Sequence, residues 1–253
     1  MPPACPSVTS AAESGSSLTP PLPEGRPPLP VRRGLWLFAP SRDSQGGSAW
    51  LLERPGLDLL IDCPGLTRAN LEFLAERNRR RPEAAPRGWI VLLGRDGHGR
   101  CRRLQQAIGW PVLVQEQEAY LLPGVAPLST FASEHRLDAA TRLLWTPGPG
   151  PGSCVLHVRD EEADLDGLFC GRLLVPLGPD RLGPLRTPRC FHWPRQLRSL
   201  ARLRQWLPSG SPEWIASGAG LGALRGAKLV HGGSGLLAGL ELLVAAPTGS
   251  PYH

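Results

Sequence analysis

Lysine is nearly absent. Of the 28 basic residues only Lys228 is a lysine, and every other cation is an arginine. With a formal net charge of +6, such a bias reflects a G+C-rich genome more often than selection for an acidic partner, so charge alone assigns no nucleic-acid role. Long apolar runs are missing as well. No stretch approaches the ~18 consecutive apolar residues of a membrane helix, and the N-terminus lacks the charged start and apolar run of a signal peptide. A soluble, cytoplasmic protein with no membrane partner is expected. The six cysteines (Cys5, Cys63, Cys101, Cys154, Cys170 and Cys190) include no C-x-x-C pair, which excludes a zinc ribbon and a thioredoxin-like motif and leaves them as mostly buried thiols. No G-x-S-x-G elbow and no P-loop occurs, so serine-hydrolase and nucleoside-triphosphatase chemistry lack their signatures. Aromatic residues are only 6% of the chain, but eight of them are tryptophan, among them Trp36, Trp50, Trp89, Trp145 and Trp193, expected to pack strands against helices.

What the chain does have is glycine and proline, 30 and 29 of 253 residues, about twice ordinary usage, which excludes a simple helical bundle and demands many turns. Nine of the prolines fall in residues 1–30, with no aromatic. That composition cannot bury enough apolar surface to offset the entropy of ordering. Residues 1–33 are therefore expected as a disordered tail, 34–246 as a single domain and 247–253 as a flexible C-terminus. Apolar runs at 49–53 and 57–62, split by Arg54-Pro55-Gly56, predict a hairpin. Helices are predicted over 67–79, with Thr67 as N-cap, and over 99–108, 116–122 and 194–207; strands over 89–93, 111–114, 142–145, 153–158, 168–174 and 214–216. Two successive halves, each of strands followed by helices, imply an α/β protein with two sheets face to face and helices outside, a four-layer αββα sandwich.

Five segments at collinear spacing carry a more specific signal. Leu59-Leu60-Ile61-Asp62-Cys63-Pro64-Gly65 is a strand ending in an aspartate. Ile90 to Gly99 is a strand running into Gly94-Arg95-Asp96-Gly97-His98-Gly99. Thr146-Pro147-Gly148-Pro149-Gly150-Pro151-Gly152-Ser153, Leu168-Phe169-Cys170-Gly171-Arg172 and Ile215-Ala216-Ser217-Gly218-Ala219-Gly220 follow. In this order they resemble the signature segments of the metallo-β-lactamase superfamily, T-H-x-H-x-D-H, T-P-G-H-x-x-G-S and L-F-x-G-D among them, over residues 35 to 230.

The resemblance implies the same αββα sandwich and, in the family, one or two metal ions, usually zinc, that activate a water for hydrolysis. The turn residues are kept here but the ligand positions are not. The first cluster reads Gly94, Asp96, His98 and Gly99; the later histidines read Pro149 and Ala219; the bridging aspartate reads Arg172. Glycine, proline and alanine have no ligand atom, and a guanidinium at the centre of a dication site repels the metal. The expected protein is thus a pseudoenzyme without cofactor that binds a small anion or a protein partner, with Arg172, His98, Asp96 and Asp62 as its ligand-binding candidates. Arg172 either presents its fork to a carboxylate or phosphate, or pairs internally with Asp62 or Asp96. Asp96 and His98 otherwise serve as a cap on the helix beginning near Gly99 and as a solvent-facing loop residue.

Two alternatives stay open. An active hydrolase of thioesterase, lactonase or glyoxalase type would need a rebuilt mononuclear zinc site on Asp96, His98 and an unidentified ligand. An RNA-binding protein would use the amphipathic segment 194–207, where Arg195, Arg198 and Arg202 form a stripe, although a solvated helix face is the more ordinary role for such a stripe and nucleic acid is not the expected partner. Gly218-Ala219-Gly220-Leu221-Gly222-Ala223 fits G-x-G-x-x-A, but lies late in the chain instead of in a first βαβ turn.

Overall fold

Alternation along each strand decides the layers. In the computed structural model, which describes residues 21–80 and 88–240, the elements run β1 (Leu29–Arg32), β2 (Leu35–Phe38), β3 (Ala49–Arg54), β4 (Leu57–Ile61), α1 (Arg68–Arg80), β5 (Trp89–Leu92), α2 (Cys101–Ile108), β6 (Val112–Gln115), β7 (Leu128–Phe131), β8 (Glu134–Arg136), β9 (Thr141–Trp145), β10 (Cys154–Asp160), β11 (Leu165–Phe169), β12 (Val175–Gly178), β13 (Arg181–Gly183), α3 (Trp193–Trp206), β14 (Trp214–Ala216), β15 (Val230–His231) and α4 (Gly233–Gly239). The first sheet has the order β1-β2-β3-β4-β5-β6-β7 and the second β15-β14-β11-β10-β9-β8, with β12 and β13 forming a separate hairpin. The hairpin predicted around Arg54-Pro55-Gly56 is β3–β4, antiparallel with Arg54 opposite Leu57. From β4 onward the first sheet is parallel, and the helices that return the chain cover its outer face.

Odd and even positions of one strand belong to different cores, as the pleat requires. Leu35, Leu37, Trp50, Leu52, Leu59 and Ile61 point inward and meet Leu143, Leu156, Val158, Phe169 and Trp214 of the second sheet. Their neighbours Phe38, Ala49, Leu51 and Leu60 point outward, onto Leu74 of α1 and Leu104 and Ile108 of α2. On the far side Leu144, Val155, Leu168 and Ile215 pack under Leu200 and Leu203 of α3 and Leu237 of α4. This is the αββα sandwich, with near-continuous apolar strands because both faces of both sheets are covered.

Three expectations are corrected. The tail does not run to residue 33: β1 begins at Leu29 and pairs with β2 through Pro30 opposite Trp36, a place open to proline because β1 is an edge strand. The stretch before it is also tied down, since the carbonyls of Pro23 and Glu24 accept the Arg68 and Ala69 N–H groups at 2.9 and 3.0 Å, two donors that the first turn of α1 cannot satisfy itself. The remaining tail, residues 1–20, and the C-terminus from 241 lie outside the described residues. The strand expected over 168–174 starts at Leu165 and ends at Phe169, because Gly171 turns the chain at φ +52°. The segment 116–122 is a 3-10 turn, Glu116–Leu121, not an α-helix. The four cysteines of the core, Cys63, Cys101, Cys154 and Cys170, are buried free thiols, and Cys190 is free and half-buried. No helix among the described residues is long and apolar enough to cross a membrane.

Candidate functional site

The ends of both sheets meet at one edge of the sandwich, and the five signature segments are the loops that leave them. Asp62 follows β4, Gly94 to Gly99 follow β5, Thr146 to Ser153 join β9 to β10, Gly171 and Arg172 follow β11, and Ser217 to Gly220 follow β14. Asp62, Gly94, Asp96, Pro149 and Arg172 line one narrow cleft of about 30 Å³ there, room for a water or a small ion.

Asp62 forms the floor. It sits at φ +59°, a conformation aspartate tolerates better than most residues. Its N–H donates to Val91 O at 2.9 Å, and its Oδ1 accepts the Leu93 N–H at 2.8 Å. Gly97 leaves space for it, because a Cβ there would stand 2.0 Å from Asp62 Oδ1. Burial raises the Asp62 carboxyl to about 7, against the opposing pull of the Leu93 N–H and Arg172.

Arg172 is committed internally. Its Nε is 3.2 Å from Asp96 Oδ2, and its Nη2 donates to the carbonyls of Ser44 and Gln45 at 3.1 and 3.3 Å. The guanidinium therefore ties three loops together, and its fork is not free for an incoming anion. Asp96 is the pairing partner foreseen as one of two, and it does not cap α2, whose N-cap position is Arg100 without a side-chain hydrogen bond.

His98 is not a solvent-facing residue. It is 8% exposed, its Nε2 is buried without a hydrogen-bond partner, and burial together with Arg95 lowers it to about 4. It lines a different cavity from Asp96, shared with Gly99 and the start of α2. Gly99, at φ +47°, packs toward Cys63, to which an added Cβ would come within 3.1 Å. Ala219 lies at the cleft's edge, where its carbonyl accepts the Ser48 hydroxyl at 3.0 Å.

A zinc ion does not fit this donor set. Four of the seven positions have no ligand atom, Arg172 brings a positive charge into the centre, Asp96 is paired with it, and His98 belongs to another cavity. Among the described residues no group of three His, Cys, Asp or Glu side chains is placed to hold a metal.

Above the cleft a wider basin of about 720 Å³ opens between Arg42, Gln45, Arg95, Asp96, Pro149 and Arg189. Sequence reasoning missed this rim. Arg95 lay inside a quoted segment but at a position with no role in the motif, and nothing local to Arg42 or Arg189 marks them. Arg189 donates to Gln45 Oε1. Arg95 stands over Glu118, both 3.4 Å contacts going to Oε1; Glu118 is fully buried, accepts the Gly152 N–H at 3.0 Å, and so fixes the Thr146–Ser153 loop from behind.

The basic helix is partly spent on its own fold. Arg195 lies over the Trp145 ring, 6.0 Å from its centroid, and Arg202 pairs with Glu134 at 2.9 Å; Arg198 is exposed. The glycine-rich stretch after β14 leads into a single 3-10 turn, Gly222–Leu224, so the helix N-terminus that a dinucleotide pyrophosphate requires is not built.

No protein-family profile and no curated protein sequence matches the chain. Solved structures do. VMB-1 aligns with a TM-score of 0.62 at 11% identity, over 87% of this chain and 97% of its own. The DIM-1 metallo-β-lactamase gives 0.59 at 17%, over 88% and 98%, and a metallo-β-lactamase superfamily protein from Sulfolobus tokodaii gives 0.52 at 16%, over 91% and 90%. At these identities the likeness speaks for architecture and not for chemistry. The chain has the metallo-β-lactamase fold.

Proposed function

We propose that the protein is a cytoplasmic, non-catalytic binding protein on a metallo-β-lactamase fold, and that it holds a small polyanion, or an acidic side chain of a protein partner, in the basin above the former metal position. One observation carries this reading: Arg42, Arg95 and Arg189 ring the basin, and the one carboxylate in its lining, Asp96, is already paired with Arg172. Arg95 is paired from behind with the buried Glu118 at 3.4 Å, so the excess of positive charge on the rim is that of Arg42 and Arg189. Guanidinium groups suit planar and tetrahedral oxyanions because their N–H donors lie in a fixed fork.

Arg172 supports the basin from beneath. By holding the Ser44 and Gln45 carbonyls it sets the loop that bears Arg42, and by pairing with Asp96 it removes the nearest negative charge. The positive potential once due to a metal is replaced by a ring of fixed cations, which favours binding of an anion but supplies neither an activated water nor a Lewis acid.

The test is titration of the protein with citrate, a compact polyanion, by calorimetry at two salt concentrations. Saturable binding that weakens tenfold or more in Arg42→Glu and in Arg189→Glu, and that falls as salt rises, is the expected result. Absence of saturable binding, or binding indifferent to both reversals, overturns the reading. So does turnover of an ester, lactone or thioester that requires added zinc.

A further inference from the structure

The basin has a neighbour. Arg189 lines the basin, while Arg186, Pro188, Phe191, Trp193 and Pro194 of the same segment line a second open cavity of about 710 Å³. Both are tied to the loop between β9 and β10. The Phe191 and His192 N–H groups donate to Pro149 O and Gly148 O at 3.2 and 3.0 Å, and Pro149 is part of the basin wall. The Cys190 thiol donates to Gly148 O at 3.4 Å, and His192 Nδ1 accepts the Arg195 N–H at the start of α3. The backbone around Phe191 is therefore held in place.

The side chains it presents are not used by the fold. Leu185 is 50% and Phe191 51% exposed, two of the six most exposed large apolar side chains among the described residues. A fixed backbone that keeps an aromatic ring half in water can bury that ring against a partner at little cost in ordering. Arg186 and Arg189 stand between these two residues, both exposed. Arg189 donates to the neutral side chain of Gln45, no carboxylate lines the second cavity, and the one in the basin belongs to Arg172. Aromatic and apolar groups interleaved with arginines that no acid neutralises have the composition of a protein-binding patch.

The complementary ligand carries negative charge and an apolar side chain next to it. Building on the anion-binding reading of the basin, we propose that basin and cavity together receive one segment of a partner protein. Its acidic residues meet Arg42 and Arg189, and an adjoining aromatic or aliphatic residue packs on Phe191. Pro188, Pro194 and a half-buried Trp193 offer a seat for such a side chain. They do not form the run of open aromatic faces on which a single-stranded nucleic acid stacks.

The probe is the acetylated, amidated peptide Asp-Asp-Glu-Phe-Leu, titrated by calorimetry beside Asp-Asp-Glu-Ala-Ala, citrate and an oligouridylate. Saturable binding of the first peptide is expected, at least fivefold tighter than that of the second. Phe191→Ala, checked for folding by circular dichroism, is expected to remove that preference, and Arg189→Glu to weaken both peptides tenfold or more. Tyr120→Ala, which deletes an exposed aromatic outside both cavities, is expected to change neither. Citrate separates this inference from the reading it builds on. Saturable citrate binding with equal affinity for the two peptides, or a preference that survives Phe191→Ala, overturns the proposed partner and leaves the basin standing. No binding of citrate or of either peptide overturns both. Oligouridylate bound more tightly than the first peptide overturns the peptide in favour of nucleic acid.

Discussion

Arg172 Nε and Asp96 Oδ2 stand 3.2 Å apart, joining a loop of the second sheet to a loop of the first at the edge where the family resemblance would have a metal. The pair does structurally what a shared metal would also do, which is to hold loops from both sheets in one place, but with a single covalent side chain on each sheet.

Because both side chains are less than one-third exposed and Arg172 also donates to Ser44 O and Gln45 O, truncating it strands a carboxylate and two carbonyls. Arg172→Ala is expected to cost about 1–3 kcal/mol. Asp96→Asn, which keeps an acceptor, is expected to cost less. Urea denaturation of the two variants measures the difference.

Asp62 and His98 oppose each other in the pH dependence of stability. The Asp62 carboxyl is raised from 3.8 to about 7, so across that window the folded protein holds a proton the unfolded chain has lost, and stability falls as pH rises. His98 is lowered from 6.5 to about 4, so the unfolded chain holds the extra proton and stability rises with pH. Between pH 4 and 6.5 the two slopes, each at most about 1.4 kcal/mol per pH unit, cancel. Asp62→Asn keeps an acceptor for the Leu93 N–H and should expose the rising slope of His98; His98→Gln should expose the falling slope of Asp62. Equal pH profiles for both variants and the parent protein would refute the assignment.

Gly97 and Asp62 compete for one volume. Gly97→Ala places a methyl 2.0 Å from Asp62 Oδ1, which forces the buried carboxylate or the loop to move and is expected to destabilise by about 1–3 kcal/mol. Adding Asp62→Ala should recover part of that loss. A double-mutant cycle with no coupling between the two positions would contradict the geometry.

Zinc should leave the protein unchanged. With no ligand set to bind it among the described residues, incubation with zinc, or with a chelator, is expected to leave the melting temperature within error of the untreated protein, since a ligand shifts stability only by binding the folded state. A rise on adding zinc, reversed by the chelator, would reveal a ligand set formed by other residues.

Much of the fold was legible in the sequence because it depends on local chemistry. The β3–β4 hairpin follows from Arg54-Pro55-Gly56 between two apolar runs, α1 from Thr67, whose Oγ1 accepts the Asn70 N–H at 3.2 Å, and α3 from the proline in its first turn. What was missed is short or made by distant pairing. β8 is three residues and β15 two, too brief for a period to register, and β1 carries a proline that reads as a breaker until an edge position admits it.

The amino-acid sequence by itself determined the layered architecture and that Gly94, Gly99, Pro149 and Ala219 carry no side-chain donor atom, since strand alternation, turn residues and side-chain chemistry are properties of the residues themselves. Tertiary structure decided the rest: that Arg172 turns inward to Asp96, that Asp96 and His98 face different cavities, and that Arg42, Arg95 and Arg189 share a rim. Those relationships join residues as far apart as Arg42 and Arg189, and only the packing of the two sheets brings such positions within reach of one another.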